Sequence, residues 1–135
     1  MRITHEQDYA FRIVVFFTNN DNELSSAQIV SNNINVPLRF TLKILRKLNL
    51  AGITTAKRGA TGGYMLKKDP SEINLYDVYL AISGPIELNG CVGVDKVCTL
   101  NVMNTCEVRK ILDSVQEDLI DKFKSVTFDK VKSKN

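Results

Sequence analysis

A mainly α fold of the α+β class is predicted by three features of this 135-residue chain. Five stretches carry apolar residues at helical spacing. One pair of short β-prone runs flanks a glycine-rich turn. The last helical stretch carries a longer apolar stripe than the small domain before it can cover. At 44% apolar residues the chain holds enough hydrophobic material for a real core, and its length fits one domain.

The elements follow in order. Tyr9, Ala10, Ile13, Val14, Phe16 and Phe17 form a wide helical stripe that the run Asn19 to Asn22 ends. Leu24-Ser25-Ser26 offers an N-cap for a short second helix from Ala27 to Asn33, built around Ile29 and Val30. Pro37 opens a third helix at a position where its missing N–H costs nothing, and the helix runs to Gly52. Leu38, Thr41, Leu42, Leu45, Leu48 and Leu50 are expected on its inner face, with Arg39, Lys43, Arg46 and Lys47 opposite. A short helix, a turn and a longer basic helix make a helix-turn-helix, whose second helix enters the major groove of a duplex; the same pattern also suits an αα-hairpin with a solvated basic face. Ile53–Lys57 and Tyr64–Lys67 then read as strands around Arg58-Gly59-Ala60-Thr61-Gly62-Gly63. A hairpin directly after the basic helix is a wing, its tip arginine suited to a narrow minor groove. The glycines also invite a phosphate-cradling reading, but the lysine-serine/threonine ending of a P-loop is missing and a strand follows, not a helix. A fourth helix is expected over Ile73–Ser83 and a fifth over Cys106–Phe123. In the fifth, Val108, Ile111, Leu112, Val115, Leu119, Ile120 and Phe123 recur at helical period, so we expect a dimerisation helix.

Charge and cysteine placement narrow the function. Residues 1 to 68 hold ten Lys/Arg against four Asp/Glu, and residues 69 to 135 hold eight against eleven. The first half is therefore a basic module suited to an anionic partner. The only cysteines, Cys91, Cys98 and Cys106, lie within sixteen residues at C-x6-C-x7-C spacing. No secretory segment precedes them and an odd number of thiols leaves one unpaired, so metal or redox chemistry in the cytoplasm is expected in place of a disulfide scaffold; small buried apolar residues are the bland alternative. Three thiolates leave an ordinary four-ligand site incomplete, so a fourth ligand has to come from elsewhere. No run approaches the roughly 20 apolar residues of a membrane span. A cysteine nucleophile lacks a base, because the only histidine is His5, far away in sequence. The chain is not expected to be an enzyme.

The residues Met1-Arg2-Ile3-Thr4, Asp8-Tyr9-Ala10-Phe11-Arg12, Val36 to Leu45, Leu50-Ala51-Gly52-Ile53, Arg58-Gly59-Ala60-Thr61-Gly62-Gly63-Tyr64 and Ile73 to Val78, together with the three-cysteine loop, resemble the Rrf2 family of winged-helix transcription regulators. The likeness spans nearly the whole chain and points to the iron–sulfur-cluster-binding branch, IscR- and NsrR-like. It implies a homodimeric repressor on a double-stranded DNA operator, sensing redox state, iron–sulfur status or nitric oxide. The cofactor it implies is a [4Fe–4S] or [2Fe–2S] cluster held by Cys91, Cys98 and Cys106, one that a crystal grown in air is expected to lack. IscR-like members place a histidine just after the third cysteine, where this chain has Glu107, Val108 and Arg109. NsrR-like members instead use an acidic residue of the first helix, which makes Asp8 the favoured fourth ligand across the dimer, ahead of Glu6 and His5. A cluster-free thiol switch or a zinc site on the same fold is the alternative.

For DNA, Arg39, Phe40 and Lys43 are expected in the major groove, Arg58 in the minor groove, and Arg46 and Lys47 at phosphates. Arg2, Ser26, Pro37, Gly59 and Gly62 complete the DNA-facing set. The expected organisation is a DNA-binding domain over 1–83, a cysteine loop over 84–105, a dimerisation helix over 106–126 and a flexible tail over 127–135.

Overall fold

Thr4 starts the first helix: its hydroxyl accepts the N–H of Gln7 at 3.2 Å, and α1 then runs His5–Asn19. A computed structural model describes residues 1–93, 96–102 and 104–132. Asn22 has positive φ in the turn after α1, and its side chain acts as a short piece of strand. Its Nδ2 donates to the carbonyl of Leu66 and its Oδ1 accepts the Leu66 N–H. Ser26 caps α2 (Ala27–Ile34) through the N–H of Ile29, as its residue type predicts. Asn35 ends α2 in the left-handed conformation, and Pro37 leads into α3 (Leu38–Leu50). Strands β1 (Thr54–Lys57) and β2 (Gly63–Leu66) pair antiparallel, with Thr54 opposite Leu66 and Lys57 opposite Gly63. An Asn74/Asp77 capping box opens α4 (Leu75–Ser83), and α5 (Glu107–Ser125) follows the cysteine segment.

The core sits where α1, α2, α3 and α4 meet. Ala10, Ile13, Val14, Phe17, Val30, Leu45, Leu48, Ile73 and Val78 are fully buried there. The inner face of α3 is rotated from the expected one: Thr41, Ile44, Leu45 and Leu48 are buried, while Leu38, Leu42 and Leu50 are exposed. The buried set follows the i, i+3, i+4, i+7 order of one helical stripe, and Leu42 and Leu50 fall outside it. The stripe on α5 also divides. Leu119, Ile120 and Phe123 pack on Tyr76, Tyr79 and Ile86, whereas Val108, Ile111 and Val115 remain exposed.

Beyond α5, the sequence composition suggests a loose tail over 127–135. Residues 126–132 are instead docked, while 133–135 lie outside the described residues. The N–H of Leu75 donates to the carbonyl of Val126 and that of Phe128 to the carbonyl of Ile73. Phe128 is buried against Phe11 of α1. A lysine- and serine-rich stretch conceals one aromatic anchor, and local composition gives no hint of the slot that receives it. Phe128→Ala should therefore lower the unfolding free energy by about 3–5 kcal/mol in urea titrations. A loss below about 1 kcal/mol would return this segment to a tail.

Candidate nucleic-acid interface and cysteine loop

The exposed face of α3 carries Arg39, Phe40, Lys43 and Arg46, with Lys47 half-buried beside them. The Arg39 guanidinium lies over the Phe40 ring, 4.7 Å from its centroid, which restricts both side chains before any ligand arrives. Lys43 Nζ is 2.6 Å from Oε1 of Glu6 and Lys47 Nζ is 2.9 Å from Oε2. These two bonds hold the Glu6 carboxyl below its usual range. The small stabilisation that results is present above the ordinary glutamate pKa and is lost as the pH falls through the lowered one.

The wing is fastened to the start of α2. Ser25 N–H donates to the carbonyl of Tyr64 at 3.0 Å, and Tyr64 N–H donates back to Ser25 at 2.7 Å. Only glycine fits this junction at position 63, where a Cβ would stand 2.6 Å from the Ser25 carbonyl oxygen; inside the hairpin turn, a Cβ on Gly62 would stand 2.1 Å from the carbonyl oxygen of Lys57. Arg58 and Gly59 are exposed at the tip, and Gly62 is half-buried at its base. Arg2 and Pro37 are exposed, and the Ser26 hydroxyl oxygen is engaged as the α2 cap.

The cysteine segment leaves α4 at Gly84 and rejoins the helices at α5. Residues 94, 95 and 103 of the expected 84–105 loop lie outside the described residues. Cys91 sits in a 3-10 turn over Gly90–Val92, and Cys106 is the residue immediately before α5. All three cysteines are half-buried. The Cys98 sulfur accepts the backbone N–H of Val102, the strongest of the influences that hold its thiol below the ordinary range. Leu100, Asn101 and the nearby Arg109 act in the same direction, and burial opposes them. Two α5 side chains hold the Cys91 strand of the loop. Gln116 accepts the Leu88 N–H and donates to the Val92 carbonyl, both at 2.9 Å, and Arg109 Nε donates to the Cys91 carbonyl at 3.4 Å. The sequence reading missed Gln116; a lone amide beside an apolar helical stripe is the signal that marks it.

Three candidate fourth ligands lie within one turn of α1, and the structure separates them. Asp8 and His5 line an open depression of about 570 Å³ together with Arg2, Ile3 and Thr4. Glu6 points to α3 instead. Asp8 is ion-paired with Arg12 at 2.7 Å, and Arg12 also donates to the Ile34 carbonyl. Between Glu6 and Asp8, Gln7 is fully buried, and its Nε2 donates to the Tyr79 carbonyl at 3.0 Å and to Ser83 Oγ at 2.7 Å. This pin between α1 and the end of α4 also escaped the sequence reading, although position 7 extends the stripe of Ala10, Ile13 and Val14. Among the described residues, no three His, Cys, Asp or Glu side chains gather closely enough to hold a metal, so a single chain neither draws Cys91, Cys98 and Cys106 together nor adds Asp8 to two of them.

A short helix, a turn, a basic second helix and a hairpin fastened beside them define a winged helix-turn-helix protein. A model of the Rrf2 family, described as "Iron-dependent Transcriptional regulator", matches residues 3–134, and the chain belongs to that family. Among its relatives are Protein aau3 of Rhizobium meliloti (strain 1021), 29% identical over 126 residues that cover 88% of this chain and 79% of that protein. The HTH-type transcriptional regulator NsrR of Bacillus subtilis (strain 168) is 24% identical over 115 residues, covering 84% and 77% respectively. The fold is that of CymR, the global cysteine regulator of B. subtilis, with a TM-score of 0.79 at 19% identity, covering 97% of this chain and 95% of the other. The chain is thus a transcription regulator and not an enzyme. No helix among the described residues is long and apolar enough to cross a membrane.

The state of Cys98 is directly testable. In metal-free, reduced protein it should be the first cysteine alkylated by iodoacetamide, as read by peptide mass spectrometry. The preference should be widest below the ordinary thiol pKa and should fade as the pH rises and all three thiols ionise. Equal labelling of the three at neutral pH would remove the backbone N–H groups as a cause of selectivity.

Proposed function

We propose that this chain is a homodimeric, cytoplasmic repressor that reads duplex DNA with α3 and the wing and is controlled through an iron–sulfur cluster on its cysteine segment. The observation that carries the DNA reading is the joint exposure of Arg39, Phe40, Lys43 and Arg46 on the outer face of a helix whose inner face is fully buried. Arg39 and Phe40 then meet base edges in the major groove; Lys43, bridged to Lys47 by the Glu6 carboxylate, joins Arg46 and Lys47 at phosphates in place of the groove position expected from the sequence, and Arg58 enters the minor groove. Arg2, Ser26, Pro37, Gly59 and Gly62 lie along the backbone path. The exposed Val108, Ile111 and Val115 suit a dimer contact along α5, because an apolar stripe of this kind is costly to leave in water.

The donor set fits the cofactor in its chemistry. Cys91, Cys98 and Cys106 are soft thiol ligands on one short segment, and the N–H groups at Cys98 favour the thiolate that an iron–sulfur cluster requires. Asp8, on an open depression of α1 and paired with the single arginine Arg12, is the favoured fourth ligand; Glu6 is engaged by two lysines of α3, and His5 shares the depression. When bound, a cluster supplies a centre that changes state with redox conditions, iron supply or nitric oxide. The chain's part is to hold the backbone around Cys91 from α5 through Gln116 and Arg109, and to link α4 to α1 through Gln7. A second reading, a cluster-free thiol switch or zinc site, is favoured by the thiolate-stabilising surroundings of Cys98 and by the likeness to a cysteine regulator.

Anaerobically purified protein should be coloured, with iron and sulfide in stoichiometric amount, and should bleach in air or nitric oxide. Asp8→Ala should bleach faster than wild type, and alanine at any of the three cysteines should abolish the colour. Colourless protein with bound zinc, or with a reversible disulfide, would establish the second reading. On DNA, Arg39→Ala should cost about 1–3 kcal/mol at a selected operator with little effect on random duplex. Arg46→Ala should weaken both and lower the salt slope by about one. Equal losses on both duplexes for Arg39→Ala would remove it as a base reader.

A further inference from the structure

Glu6 does something the DNA-reading face does not need for reading. One carboxylate serves two ammonium groups a helical turn apart on α3, with each oxygen taking one lysine at 2.6 and 2.9 Å. Among the described residues, both ion pairs formed by α3 go to this single side chain. Its position is well supported. Glu6 lies in the first turn of α1, where the N-terminal end of the helix favours a negative charge. Thr4 caps that turn, and the next residue, Gln7, is buried and bonded to Tyr79 and Ser83. The backbone beneath Glu6 is therefore fixed, and the carboxylate faces the lysines as a standing counter-ion.

A duplex offers the same chemistry more densely, because its phosphodiesters are anions that seek the same ammonium groups. Lys43 and Lys47 cannot serve the phosphates fully while Glu6 holds them, and a carboxylate left between them at a duplex surface repels the backbone. We infer that Glu6 is an internal competitor of DNA phosphates, a positioning residue that occupies Lys43 and Lys47 in the free protein and lowers affinity for every duplex equally. This rests on the reading of α3 as the helix that meets DNA. The pairs are half-exposed and individually weak, so phosphates displace the carboxylate instead of being excluded by it. The result is a moderated non-specific affinity, which favours a regulator that has to release random DNA and search.

The test is a double-mutant cycle read by fluorescence anisotropy at several salt concentrations. It uses a duplex selected from a randomised pool by the wild-type protein and a second duplex of random sequence. Glu6→Gln keeps the size of the side chain and removes its charge. It should tighten binding to both duplexes by roughly 3- to 10-fold at low salt, leave their affinity ratio unchanged, and steepen the salt dependence. In a Lys43→Met/Lys47→Met background the same substitution should have no effect, because its gain acts through those two lysines. A gain that persists in that background would make Glu6 a generic repulsive charge and overturn the inference. A Glu6→Gln protein that binds more weakly would overturn it as well, by making the carboxylate an aid to the lysines. Wild-type protein that binds no duplex would overturn the reading of α3 itself, and this inference with it; the other two outcomes leave that reading standing.

Discussion

The rest of the structure depends on the burial of one side of α1. Ala10, Ile13, Val14 and Phe17 are each at 0% exposure, and α2, α3, α4, β2 and the segment after α5 all pack on that helix. Removing this amount of aliphatic and aromatic surface from water is the dominant favourable term available to a chain of this size. Gln7 lies in line with those residues and supplies what apolar contacts cannot, a directional bond. Its amide joins the first turn of α1 to the middle of α4 at Tyr79 and to its end at Ser83. Misplacing a buried amide costs far more than a partnered one returns, so this pair specifies how the two helices meet.

The consequence for recognition is geometric. With Thr41, Ile44, Leu45 and Leu48 committed inward, α3 has little freedom to roll, and its cationic face is fixed outward. The hairpin gains its orientation in a different way, by backbone. A two-stranded ribbon is marginal in water, but the paired bonds of Ser25 and Tyr64 and the Asn22 side chain on Leu66 extend its edge and tie it to the loop before α2. Gly63 permits that closeness because no Cβ stands between the strand and the Ser25 carbonyl, and Gly62 does the same for the tight turn against Lys57. The two parts proposed to touch DNA are thus held by separate devices, one apolar and one polar.

The cysteine segment is held both by its own backbone turns and from α5. Among its described residues a 3-10 turn and short backbone turns alternate, and Gln116 and Arg109 of α5 bind backbone groups at Leu88, Cys91 and Val92. α5 in turn is attached through Leu119, Ile120 and Phe123 to Tyr76, Tyr79 and Ile86, a small apolar cluster apart from the main core. The same α4 that receives this cluster bonds Gln7 of α1. Packed side chains and hydrogen bonds thus connect the backbone around Cys91, through α5 and α4, to the first turn of α1, where Glu6 meets α3.

Much of this was legible before any fold was known. Helical periodicity placed four of the helices, the Ser26 cap and the asparagines at 32 and 33 placed the short second one, glycines between β-prone runs placed the hairpin, and C-x6-C-x7-C marked the segment with soft-ligand chemistry. These are local properties: caps, turns and amphipathic stripes are set by residues a few positions apart. What the sequence left undecided depends on residues far apart in the chain. Position 44 of α3 faces the core and 42 does not, because the cavity formed by α1 and α4 selects one stripe among several leucine-rich ones. Glu6 pairs with lysines 37 and 41 positions away, the stripe of α5 splits between an inner and an outer face, and Phe128 anchors a segment whose composition reads as a tail. Local sequence limits the conformations each element adopts, but which partner a side chain meets is decided only when the elements close on one another. For that reason the order of elements belonged to the sequence, and the charge partners and exposed faces belonged to the tertiary structure.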